Sequence, residues 1–143
     1  SYTYNNLGAL YISRADYRQA IRELNKFVRM EPRSVTGWYN LGFAFQSEGN
    51  YNEALESYGK AALLEPGHVA SWKRIVAICM EQGKEDEARK TIERIRRKSD
   101  EIKADSERRL AAGGAPLKEI KMLNSSSLLL KELADKLEKG LKQ

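Results

Sequence analysis

Shifted by thirty-four residues, this sequence falls back onto itself. The pattern is densest in Trp38-Tyr39-Asn40-Leu41-Gly42-Phe43-Ala44-Phe45, followed by Gly49-Asn50-Tyr51-Asn52-Glu53-Ala54 and closed by Pro66. One period upstream stand Tyr4, Leu7, Gly8, Tyr11, Tyr17, Ala20 and Pro32; one period downstream stand Trp72, Ile75, Gly83 and Ala88. A chain with a period of this length is built from small supersecondary units. None of them buries its apolar face alone, so neighbours must stack to make a continuous core.

Within each period the apolar residues recur at helical spacing. The first helix is expected from about Tyr2 to Arg14, with Tyr4, Leu7, Leu10 and Tyr11 on its buried stripe. Gly8 has no side chain to hold a paired helix away. Asp16 suits the N-cap of a second helix whose apolar face is Ala20, Ile21, Leu24, Phe27 and Val28, and Pro32 ends it. The next period repeats these devices with Trp38, Leu41 and Phe45, a turn at Gly49-Asn50, then Ala54, Leu55, Tyr58 and Ala61, and a stop at Glu65-Pro66-Gly67. The third keeps Trp72, Ile75, Gly83, Ala88, Ile92 and Ile95 but has Val76, Cys79 and Asp100 where a small residue, an aromatic and a proline would recur. With no Pro or Gly near Ser99, the sixth helix should run on to about Ala111 and end at Gly113-Gly114. Pro116 then opens a short helix, which Ser125-Ser126-Ser127 interrupts or follows with a new cap. The last segment places Leu129, Leu130, Leu133, Ala134, Leu137 and Leu141 on one face of an amphipathic helix.

The thirty-four-residue period, with aromatic, Leu-Gly, aromatic, Ala and Pro in fixed places, resembles the tetratricopeptide repeat, a helix-turn-helix unit. The resemblance implies an all-α solenoid, a right-handed superhelix with its concave surface lined by the first helix of each repeat. Repeats are expected at 1–34, 35–68 and 69–102, the last with its second helix extended to about 111, and a helical extension at 113–143. Carried over by position, the groove residues are Tyr2, Asn5, Asn6, Ala9, Ile12 and Ser13; then Thr36, Tyr39, Asn40, Phe43, Gln46 and Ser47; then Ala70, Lys73, Arg74, Ala77, Met80 and Glu81. None of these is expected to be needed for packing the repeat core. The family implies a non-catalytic adaptor that holds a peptide or helix of a partner. Ile12, Tyr39 and Phe43 would supply apolar contact, Asn6 and Asn40 (the same position in successive repeats) backbone bonds, and Lys73 and Arg74 charge selection. Some relatives grip a C-terminal carboxylate with five clamp residues. Asn40 and Arg74 match that clamp, whereas Asn5, Ala9 and Ala70 do not, so a chaperone-tail receptor is the third reading. The second is a self-assembling scaffold, using the repeats or the C-terminal helix. That helix is expected to fold over the sixth as a cap, with groove docking or pairing with another copy as alternatives.

Composition closes other routes. The 25 basic and 20 acidic residues, net +5, are interleaved along the chain, which argues against a nucleic-acid partner. The densest basic cluster, Arg94, Arg96, Arg97 and Lys98, reads as a solvated last helical turn. The longest apolar run, Ile75 to Met80, is too short for a transmembrane segment. Lone Cys79 allows no internal disulfide and suits a reducing, cytoplasmic setting, while the absent initial Met reads as an excised fragment. His68, the single histidine, follows the Pro66-Gly67 turn and is expected to be exposed; Cys79 is expected to be inert core. No HExxH, CxxC, glycine-rich phosphate loop or serine elbow occurs, so no catalysis, metal or other cofactor is expected.

Overall fold

The computed structural model describes residues 2–142, and of Tyr2 the backbone alone, so the expectation for the Tyr2 side chain lies outside the described residues. The helices are α1 (Tyr2–Ser13), α2 (Tyr17–Met30), α3 (Val35–Ser47), α4 (Tyr51–Leu64), α5 (Val69–Glu81), α6 (Glu85–Ala112) and α7 (Leu117–Leu141). Among the described residues there is no strand.

Local chemistry sets the helix ends. The Asp16 carboxylate accepts from the Gln19 N–H at 3.4 Å, and the Ser34 hydroxyl accepts from the Gly37 N–H at 3.1 Å. α2 and α4 stop just ahead of Pro32 and Pro66. Each of those prolines has a second use. The Trp38 indole donates to the Pro32 carbonyl at 2.8 Å, and one period later Trp72 donates to the Pro66 carbonyl at 2.8 Å. The aromatic at the start of a repeat is thereby tied to the turn that ends the preceding one. Turns inside the helix pairs need one left-handed residue, and equivalent positions supply it: Ala15 (φ 57°), Gly49 (φ 81°) and Gly83 (φ 69°).

The chain divides into two compact units, Ser1–Ile78 and Cys79–Gln143. In the first, α1 packs on α2, α2 on α3, α3 on α4, and α1 also meets α3. Its core is Ala20, Leu24, Phe27, Val28, Leu41 and Ala44. Close approach depends on glycine: a Cβ on Gly8 would lie 2.5 Å from Leu24 Cγ, and one on Gly42 would lie 2.8 Å from Tyr58 Cδ1. Gly37, which the sequence pattern does not single out, is equally constrained by Phe27 at 2.6 Å. Leu10 is not on the buried stripe; it is 42% exposed. It sits two positions past Gly8, about 200° round the helix from the face that meets α2.

In the second unit α7 packs on α6. Side-chain pairs Arg109–Glu119, Ser106–Asn124, Ser99–Ser127 and Arg96–Asp135 pair falling with rising residue numbers, so the two helices are antiparallel. Ile120, Leu130, Leu133 and Ala134 are buried, whereas Leu129 is 49% exposed. Leu129 lies five positions before Ala134, about 140° round the helix, and leaves the stripe the sequence assigned it to. The serine run does not break α7. Ser127 donates to the Ser99 carbonyl at 2.9 Å while Ser99 donates to the Ser127 carbonyl at 2.7 Å, so the buried hydroxyls are satisfied across the helices and do not compete for the local turn. Nor is the basic cluster a solvated last turn. It falls inside α6, where Arg96 binds Asp135 at 2.6 Å and Glu138 at 2.5 Å on α7.

Candidate functional site

The first unit brings residues of three successive first helices onto one face. Asn40 of α3 donates from Nδ2 to Asn5 Oδ1 of α1 at 3.4 Å. One period on, Arg74 of α5 donates from Nε to the Tyr39 hydroxyl of α3 at 3.3 Å. Both contacts join the fifth position of one repeat to the sixth position of the next, so stacking sets the register and the side chains give each rung its chemistry. The first rung is a pair of amides. The second is a phenol and a guanidinium, with the Arg74 guanidinium carbon also 5.1 Å from the Phe43 ring centroid.

Tyr39 is held on both flanks. Its ring centre lies 5.4 Å from that of Tyr58 in a tilted arrangement and 5.3 Å from that of His68, edge to face. Tyr58 is fully buried and donates to Gln46 Oε1 at 2.8 Å. His68 is half-buried rather than exposed, because its ring packs on Tyr39 and its Nδ1 lies 2.7 Å from Ser71 Oγ. It stands one period after Ser34, the residue capping α3, and that equivalence was the available signal that His68 belongs at the start of α5.

The remaining expected residues are placed differently. Asn6 and Lys73 are exposed on their helices. Ile12 is half-buried against the core cluster, so it does contribute to packing the repeat and offers an edge, not a whole side chain, to a ligand. Tyr39, Asn40, Phe43 and Arg74 are half-buried and Ala9 is exposed. Asn40 and Arg74, the two positions that match the carboxylate clamp, both have partners within the chain, Asn5 and Tyr39. The amide pair still has capacity. Asn40 keeps its carbonyl oxygen and Asn5 its NH2 group, an acceptor and donor side by side that suit a passing peptide group. In the second unit, burial pushes the Cys79 thiol up from its ordinary pKa, which favours the uncharged form.

Two tetratricopeptide repeat family models match the chain, over residues 5–45 and 45–106. Solved structures of the same architecture align with it. The type III secretion translocator chaperone SycD of Yersinia enterocolitica gives a TM-score of 0.63 at 14% identity, covering 98% of this chain and 79% of that one. The first tetratricopeptide domain of Spaghetti (RPAP3), solved with the HSP90 peptide SRMEEVD, gives 0.61 at 16% identity, covering 99% and 92%. The CopN–Scc3 complex gives 0.60 at 22% identity over 63% of this chain, and that match spans only 53% of the chain it aligns with. No curated protein matches the chain. The fold is an all-α tetratricopeptide solenoid, and the repeats carry its defining residues at the family's spacing. The chain belongs to the tetratricopeptide repeat family. No helix among the described residues is long and apolar enough to cross a membrane.

Proposed function

We propose that this chain is a non-catalytic adaptor that binds a segment of a partner protein along the face made by α1, α3 and α5. The observation that carries the reading is the repeated rung, Asn5–Asn40 and Tyr39–Arg74, which lines up amides, aromatic rings and a guanidinium on that face. Tyr39 and Phe43 provide apolar area, with Ile12 as an edge. Asn5, Asn6 and Asn40 bond the segment's peptide groups, and Arg74 with Lys73 favours a carboxylate at the α5 end. A solved relative holding a short peptide, RPAP3 with an HSP90 peptide, supports the general mode.

The test is selection from a display library of short peptides on the intact chain, followed by anisotropy titration of the enriched ones. Enriched peptides should place an apolar residue near an acidic one. Tyr39→Ala and Arg74→Glu should each weaken them at least about tenfold, which is about 1.4 kcal/mol. Unchanged affinity in both variants would refute the site. Amidating the peptide C-terminus separates a tail receptor, which loses binding, from an internal-segment reader, which does not.

A further inference from the structure

The outward face of α7 carries a second surface, in the other unit and beyond residue 106, where the family match ends. Leu117 and Met122 are each 63% exposed, Leu128 57% and Leu129 49%. Their positions turn them away from the buried Ile120, Ser127, Leu130 and Ala134, with buried Leu133 bordering the Met122–Leu129 edge. Lys118 and Lys121 lie among them, together lining a shallow groove with Leu117, Met122, Ser125 and Ser126. Neither lysine has an ion pair among the described residues. The single carboxylate in this stretch, Glu119, is already paired with Arg109 of α6. Within Leu117 to Leu129 the exposed face therefore carries apolar and positive residues and no unpaired carboxylate.

We infer that this face docks a short acidic amphipathic helix of a partner protein. Charge complementarity selects the occupant, since exposed leucines and a methionine flanking unpaired lysines suit a helix with Glu or Asp along its midline and apolar residues beside them. Leu117 to Leu129 spans about 18 Å at the helical rise, so the ligand should be three to four turns long. The face shares no residue with the α1–α3–α5 site and stands or falls without it.

A capped, labelled fourteen-residue peptide of Leu, Ala and Glu in that pattern, and a twin with Lys in place of Glu, provide the probes. Anisotropy titration of the full chain should show the Glu peptide binding at least tenfold more tightly than the Lys peptide, and weakening as salt rises. The double variant Lys118→Glu/Lys121→Glu should reverse the preference, a gain of binding that misfolding cannot imitate. Met122→Ser/Leu129→Ser should weaken the Glu peptide by a similar factor. Equal binding of the two peptides, or none, would overturn the inference. So would co-sedimentation with anionic phosphatidylserine vesicles in place of peptide binding, or concentration-dependent dimerisation abolished by Met122→Ser/Leu129→Ser.

Discussion

Two alanine substitutions in neighbouring helices separate helix propensity from packing. Gly42 lies in α3 and Gly59 in α4, and either change removes a glycine from a helix interior, a gain of about 1 kcal/mol. At Gly59 nothing lies within 4 Å of the added Cβ. At Gly42 the Cβ would meet Tyr58 Cδ1, Cε1 and Cγ at 2.8, 2.9 and 3.0 Å. The ring must retreat by about half an ångström to reach ordinary contact, and it has little room in a close-packed interior. Tyr58 is fully buried, its hydroxyl is anchored on Gln46, and its ring rests against Tyr39. Overpacking of this kind costs about 1–3 kcal/mol. Because the propensity gain is common to both variants, the difference between them isolates that cost. Gly59→Ala should be more stable than the parent by up to about 1 kcal/mol, and Gly42→Ala less stable than Gly59→Ala by about 1–3 kcal/mol. Urea unfolding followed by the fluorescence of Trp38 and Trp72, both in the first unit, reads the difference. Gly42→Ala matching or exceeding Gly59→Ala would refute the packing argument.

Three further outcomes are expected. Ala15→Gly should stabilise the first unit by about 1 kcal/mol in the same urea assay, since Ala15 sits at φ 57° where a Cβ is disfavoured. Ser99→Ala and Ser127→Ala should each cost about 1 kcal/mol, because each leaves a carbonyl across the seam without its donor; in the double variant the costs should not add, as the hydroxyls also lie 3.1 Å apart. The hydrogen bond and charge of Arg96 hold the Asp135 carboxyl below its ordinary value of 3.8. A depressed folded pKa gives stability that is present above the unfolded value and lost as pH falls through the folded one. The second unit should thus weaken below about pH 4, more in the parent than in Arg96→Gln, as followed by circular dichroism of acid titrations.

Much of the fold is legible because the repeat writes the same physics several times. Gly8 and Gly42 mark close approach, Pro32 and Pro66 mark helix ends, and a stripe of aromatic and aliphatic residues marks the faces between. The sequence was less informative where one position serves two structures. Ser125–Ser127 look like a break because serine competes for backbone bonds, and only the partner carbonyl of Ser99, twenty-eight residues away, shows why the helix continues. Leu10 and Leu129 look like core because leucine usually is, but a side chain about 140° or more from the contact line stays in water.

The site divides along the same line. Family position put Asn5, Tyr39, Asn40, Phe43 and Arg74 on a common face, but no pattern within one repeat shows that Asn5 meets Asn40 or that Tyr39 meets Arg74. Those pairs span thirty-five residues, one more than the period, because adjacent first helices stack with their side chains offset by a single position. The same offset makes the two rungs chemically unequal: neutral amides between α1 and α3, an aromatic and a cation between α3 and α5. On the proposed reading a bound segment is therefore read with a direction, peptide groups held at the α1 end and a negative charge met at the α5 end. Reversing an enriched peptide's sequence should abolish its binding, and a reversed peptide that binds equally well would leave the rungs as packing alone.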